Sequence, residues 1–430
     1  MRKLPRLLLI VGLGWTCIVG GTAWADGVTQ RVSVSSTGKQ GNLASFGGVT
    51  GQSMTPDGRY VVFTSDASNL VPKDLNAATD VFLHDRKSGS TRRVSLGANA
   101  TEANLGSGGG ALTADGRLIA FSSDASNLVG GDTNGTTDIF VRNRISGTTR
   151  RVNLTSAGRQ ANGRSFGSAI SANGRYVAFA SVATNLVPGD TNGSQDIFVR
   201  DLEALTTRRV SIRTGGGQAN TDSFGPAISA NGRFVTFSSE ATNLVPGDGN
   251  ATSDVFVHDL VTSVTERVSV GAGGIEAEPG SFSFGSELSA DGRYVSFQSG
   301  ARNLVAGDTN GATDVFVRDR QRDVTTRVVL APSGGPTDPG SVGATLSPTG
   351  RFVAVSSLGS FEAFIVDRRS GRARLLSVPL DGVSNGFTTS FPLAVSGDGR
   401  LVIFQSDAAD LIGRDTNGVL DVFARSLRPW

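Results

Sequence analysis

The chain has 430 residues, 38% of them hydrophobic, with 57 glycines, two histidines, one cysteine and a formal net charge of +2. A single thiol excludes a disulfide framework and a cysteine-zinc site. The small net charge, with no basic stripe, excludes nucleic acid as the expected partner.

In chain order, the first segment reads as a leader. Arg2, Lys3 and Arg6 form a basic start, Leu7 to Gly21 is an apolar run, and Ala23-Trp24-Ala25 is a small-x-small cleavage site. That combination is a secretory signal peptide whose apolar run is too short to span a membrane. Cleavage after Ala25 removes Cys17 and the three cations, so the mature chain carries about one net negative charge. The expected organisation is 1–25 as signal peptide and 26–430 as one folded unit. That unit is periplasmic or secreted, with no membrane span after signal cleavage.

The remainder repeats itself. A Gly-Arg pair places its arginine at Arg59, Arg117, Arg175, Arg233, Arg293, Arg351 and Arg400, at intervals of 58 or 60 residues and a last one of 49. A fixed period of this kind specifies a repeat architecture. In the unit around Arg175, the segments 165–171, 176–181, 196–201 and 207–212 are short and rich in Val, Ile, Phe and Thr, so they read as four strands. Ala172-Asn173-Gly174 joins the first two as an Asn-Gly hairpin turn. Phenylalanine recurs in the second strand at Phe63, Phe121, Phe179, Phe237, Phe297 and Phe404. It recurs in the third at Phe82, Phe140, Phe198, Phe256, Phe316, Phe364 and Phe423. Strands apolar on both faces belong to sheets covered on both sides, which small sheets stacked radially provide.

The expected fold is all-β: a single seven-bladed β-propeller with four-stranded blades. The seventh unit stops at Asp421-Val422-Phe423-Ala424-Arg425 without a fourth strand, and Thr29 to Val34 matches Thr207 to Ile212 in type and order. The N-terminal strand is therefore expected to complete the last blade and close the ring.

The order S-x-D-G-R, apolar strand, loop, D-φ-F-V-x-D, then R-R-φ resembles the TolB-type (WD-like) propeller repeat over the whole mature chain. The resemblance implies the same fold. The departure is the loop between second and third strands, lengthened by N-L-V-P-G-D-T-N-G. It carries Asp-x-Asn-x-x-x-Asp six times: Asp74/Asn76/Asp80, Asp132/Asn134/Asp138, Asp190/Asn192/Asp196, Asp248/Asn250/Asp254, Asp308/Asn310/Asp314 and Asp415/Asn417/Asp421. Blade 6 reads Leu358-Gly359-Ser360-Phe361-Glu362 instead. The ending D-x-N-G-x-x-D is similar to the calcium loops of integrin-type propellers, with the first acid missing.

Two readings of these loops follow. Oxygens at alternate positions, a sharp glycine turn and a second carboxylate on a strand suit a structural Ca2+, which takes six to eight oxygen ligands. Alternatively, Asp and Asn cap turns through their own backbone. Asn69, Asn127, Asn185, Asn243 and Asn303, before Leu-Val, read as loop-folding side chains.

No catalytic residue is assigned. Gly163-Arg164-Ser165-Phe166-Gly167 is formally a nucleophile-elbow pattern, but it begins a strand and no helix follows. His84 and His258 replace arginines found at Arg142, Arg200 and Arg318, and read as interchangeable surface positions. The expected function is an exported, non-enzymatic binding or scaffold propeller stabilised by calcium. Its partner would be a protein, peptide or glycan on the face where long loops and inter-blade connectors open. The alternative is a propeller enzyme, of polysaccharide lyase or hydrolase type, with a site in the central channel.

Overall fold

Each blade grows from a hairpin whose tightness depends on one glycine. In blade 3 Gly174 adopts φ +75°, and a Cβ there would lie 2.7 Å from Leu118 Cδ1 of the preceding blade. Asn173 closes the same turn, its Oδ1 accepting from Ser171 Oγ and from the Arg175 N–H. The structure, a computed structural model, describes residues 27–48, 52–330, 339–380 and 389–430. The leader read over 1–25 lies outside the described residues.

Blade 3 consists of Ser165–Ile170, Tyr176–Ser181, Asp196–Asp201 and Thr206–Arg209, antiparallel and in chain order from the channel outward. The outermost strand ends three residues before the expected Ile212. Ser211 turns its hydroxyl onto Asp196 Oδ1 at 2.5 Å and so leaves the ladder. Six further four-stranded sheets repeat this plan. In the seventh, Gly27–Arg31 pairs with Asp421–Leu427 and places Arg31 opposite Phe423, so the N-terminal strand closes the ring as its sequence implied. Two single 3-10 turns, Ala98–Ala100 and Ala272–Gly274, sit in connectors.

The core lies between blades. Second- and third-strand phenylalanines stack within six blades at centroid distances of 5.6–5.9 Å. Each such pair contributes about 0.5–1.5 kcal/mol beyond its burial. Blade 6 pairs Val355 with Phe364 instead. The Gly-Arg arginines fork onto the aspartate ending the third strand in five blades, as Arg175 does on Asp201. These arginines keep 23–44% of their side-chain surface exposed, so each pair is worth only about 0–1 kcal/mol.

Antiparallel order sends the one–two and three–four turns to one face of the disc. The two–three loops and the inter-blade connectors go to the other. Deleting residues 28–35 strips the last blade of its outer strand and uncovers a free edge. The truncated protein is expected to melt less cooperatively and to aggregate, checked by calorimetry and light scattering against the parent. An unchanged melt of a monomer would contradict ring closure.

Candidate functional site

The six acid-amide-acid loops are built alike, and at the centre of each is an arginine from the outermost strand of the same blade. In blade 3 the Arg209 guanidinium lies 3.1 Å from Asp190 and 2.8 Å from Asp196. In blade 2 Arg151 lies 3.0 Å from Asp132 and 2.9 Å from Asp138. Arg327 holds Asp308 and Asp314 at 2.7 and 3.0 Å, and Arg31 holds Asp415 and Asp421 at 2.8 and 3.2 Å. Arg93 bridges Asp74 and Asp80, and Arg267 bridges Asp248 and Asp254.

The asparagines do not turn a carbonyl oxygen toward the centre. Asn76, Asn134, Asn192, Asn250, Asn310 and Asn417 each donate from Nδ2 to the second aspartate. Each Oδ1 accepts the backbone N–H two residues on, the Asx turn that caps these loops. Thus the predicted ligand residues do converge, but on a guanidinium. The coordination expected from sequence differs from the geometry in two respects: the asparagine offers a donor, and a cation is already supplied by the chain.

A signal for the arginine was present in the repeats. Every blade with the loop has Arg at this position of its outer strand, namely Arg31, Arg93, Arg151, Arg209, Arg267 and Arg327. Blade 6, which lacks the loop, has Leu375, paired with Phe364 as Arg209 is paired with Phe198. Loop and arginine are lost together.

Blades 1 and 4 add a third acid. Glu102 and Glu276 pair with Arg93 and Arg267, where blades 2, 3 and 7 have Gln160, Gln218 and Gln40. The clusters Asp74/Asp80/Glu102 and Asp248/Asp254/Glu276 bring three carboxylates within 4.8 Å of one another. Burial pushes Asp80 and Asp248 up to about 6, against the pull of their arginines.

The repeated asparagines before Leu-Val fold the loops, as expected. Asn185 Oδ1 accepts the Asn162 N–H and its Nδ2 donates to the Gln160 carbonyl. Asn192 Nδ2 also donates to the Ala219 carbonyl, so this loop, like those of blades 1 and 2, is stapled to both flanking connectors. On this face lie all four exposed phenylalanines of the described residues, Phe46, Phe282, Phe284 and Phe361.

The catalytic patterns dissolve. Ser165 is fully buried, its Oγ bonded to Ser181 and Asn153. The histidines are not surface residues, as expected from sequence, but are buried between blades. His84 and His258 bond through Nδ1 to Thr91 and Thr265. Burial, aided by Arg208, pushes His258 down to about 4. The third strand is covered by both neighbouring blades, so its end is an interior position.

The channel holds two residues that break the repeat and that sequence reading did not single out. Gln52 reaches across from blade 1, its Oε1 accepting the Ile170 N–H of blade 3 and its Nε2 donating to the Ile228 carbonyl of blade 4. Glu287 stands where blades 2, 3, 4 and 7 have Ala111, Ala169, Ala227 and Ala394. Its Oε2 accepts the Leu346 N–H of the next blade at 2.8 Å. What accessibility Glu287 has is to a narrow cavity, and this burial pushes its carboxyl up to about 8.

No family model and no curated protein matches the chain. Solved structures do. It is similar to an oligogalacturonate lyase in complex with manganese, at 12% identity over 94% of both chains and a TM-score of 0.59. An oligogalacturonate lyase from Vibrio parahaemolyticus aligns at 11% identity over 93% of this chain and 97% of its own, TM-score 0.57. TolB from Acinetobacter baumannii aligns over 69% of this chain and 59% of its own, at 17% identity and a TM-score of 0.39. What the two lyase alignments show, at 11–12% identity, is a shared propeller fold.

Two outcomes are expected here. Arg209→Leu installs what blade 6 uses but strands Asp190 and Asp196, whose side chains are 4% and 0% exposed. It should cost about 3–5 kcal/mol in urea unfolding, partly recovered by adding Asp190→Asn. Glu287 gives a pH signature. Its folded pKa is raised from 4.5 to about 8, so its contribution is full below pH 4.5 and lost as pH rises to about 8. The slope is up to ~1.4 kcal/mol per pH unit. Glu287→Ala should flatten that part of the stability–pH curve.

Proposed function

We propose that the protein is a non-enzymatic binding or scaffold propeller that presents its loop-rich face to a peptide, protein or glycan. The observation that carries this reading is the concentration of exposed phenylalanines on the face whose loops are held rigid by arginine clamps and asparagine staples. Rigid loops lower the ordering cost of binding, and exposed aromatic rings are the side chains that dominate contact energy at interfaces. The leader-like segment at 1–25 supports export to the periplasm or beyond. Among the described residues, no helix is long and apolar enough to cross a membrane.

Calcium enters this proposal in a narrowed form. In blades 2, 3, 5 and 7 two carboxylates share one guanidinium, and a divalent ion would have to displace it. In blades 1 and 4 the third carboxylate leaves charge uncompensated, so these two loops are the places for a structural Ca2+. A hundredfold excess over the dissociation constant gives about 2.7 kcal/mol per site.

The second reading is a lyase, favoured by the end-to-end likeness to oligogalacturonate lyases. Against it stands the position of His84 and His258, buried on third strands away from the channel.

One set of experiments separates these readings. Partner capture from periplasm and medium should be lost in Phe46→Ser/Phe284→Ser and kept in Ile145→Ser/Val261→Ser, which alters the opposite face. Equal capture by both would move the binding surface elsewhere. Formation of unsaturated product from oligogalacturonate with manganese would establish the lyase. Millimolar calcium should raise the melting temperature of the parent and not of Glu102→Gln/Glu276→Gln. Identical melts in calcium and chelator would leave all six loops closed by arginine alone.

A further inference from the structure

The end of the channel opposite the long loops is a cavity of about 150 Å³, lined by one residue or more from every blade. Its wall is aliphatic, with Leu112, Ile228, Leu288, Leu346 and Val395. Ala114, Ala172 and Ala230 at its rim are linked by backbone hydrogen bonds that run on through Ala290 to Pro348. Gln52 lies across it and uses both ends of its amide on blades 3 and 4. Glu287 is the one titratable side chain among the lining residues.

We propose that this cavity binds a primary alkylammonium group, with Glu287 as its counter-ion. This inference is independent of the loop-rich face. Four points select that chemistry. Glu287 spends Oε2 on the Leu346 N–H, which leaves Oε1 for a ligand that donates. A hard metal ion needs six or more oxygens, and an aliphatic wall does not provide them. A guanidinium carries five donors in a plane, more than the one carboxylate and the already engaged Gln52 can accept. An aliphatic chain ending in an ammonium matches the wall along its length and the carboxylate at its end. A cavity of this volume takes a molecule of about six heavy atoms, and a four-carbon amine fits.

The placement of Glu287 also argues for a ligand. Alanine suffices at the same position in four blades, so the fold does not require a carboxyl there. The charged form is disfavoured in the free protein, because burial holds the carboxyl neutral up to about pH 8. An ammonium supplies the missing positive charge, and its binding at lower pH releases the Glu287 proton to solvent.

The amine has two possible sources: a free alkylamine, or a lysine side chain offered by a peptide. The test is calorimetric titration with n-butylamine, and separately with Nα-acetyl-lysine methylamide, on the parent, Glu287→Ala and Glu287→Gln. Glu287→Ala copies four other blades and is checked for a cooperative melt. The parent should bind n-butylamine, with affinity rising up to tenfold per pH unit from pH 6 toward about 8 and levelling above it. Both variants should bind at least tenfold more weakly and lose the pH dependence. Binding of the lysine amide as well assigns the pocket to peptide lysines, and its exclusion assigns it to free amines. Absence of binding to the parent, or equal binding by Glu287→Ala, overturns the proposal.

Discussion

A guanidinium held between two buried carboxylates recurs six times around the ring, and the geometry of one whole face depends on it. The arginine starts on the outermost strand and ends inside the loop between the second and third, so it ties the rim of each blade to its loop. The second aspartate of each set, completely buried, also accepts from the capping asparagine and, in most blades, from a serine or asparagine two residues beyond the arginine. Remove the cation and two acids repel across a few ångströms in a site poor in water. An apolar replacement of the whole constellation costs little, because ion pairs recover only part of their desolvation. Blade 6 shows this inside the same molecule: a short loop and Leu375 close that end of the blade without an arginine clamp. The clamp therefore specifies the conformation of a long loop more than it adds stability.

Repetition also sorts structure from chemistry. Features present in five or more blades, such as the stacked phenylalanines, the Gly-Arg forks and the arginine clamps, are explained by the packing of a blade on its neighbours. Features present once or twice need another account. Glu102 and Glu276 place surplus charge at two loops. Gln52 and Glu287 place polar groups in a cavity whose other lining residues, apart from Thr55, are apolar. The two ends of the channel are thus chemically distinct: an aromatic, loop-framed mouth on one face, and a small aliphatic cavity with one carboxyl on the other.

A propeller that superposes on oligogalacturonate lyases over nearly its full length shares their scaffold, and scaffolds of this kind host unrelated activities. Chemistry has to be argued from the side chains that converge. Here both histidines are spent on interior hydrogen bonds to threonine, and the serine of the elbow-like pattern is locked between Asn153 and Ser181. A strand covered on both sides leaves its residues no access to substrate, whatever their intrinsic reactivity.

The sequence by itself determined the period, the seven blades, the four strands of each and the closure of the ring. These follow from local rules: glycine at positive φ in each hairpin turn, apolar residues on both faces of the second and third strands, and an unmatched strand at each end of the chain. It also displayed the joint loss of loop and arginine in blade 6, though only a structure shows that they touch. What tertiary structure decided was the partner of each polar group. Asp190 and Arg209 lie 19 positions apart in sequence, and spacing alone does not say whether the acid meets a metal, water or a guanidinium. Nor does it reveal that His258 is interior, or that Glu287 of blade 5 faces a cavity shared by all seven blades. Those outcomes depend on which surfaces meet when the ring closes, and closure brings together residues that no local pattern relates.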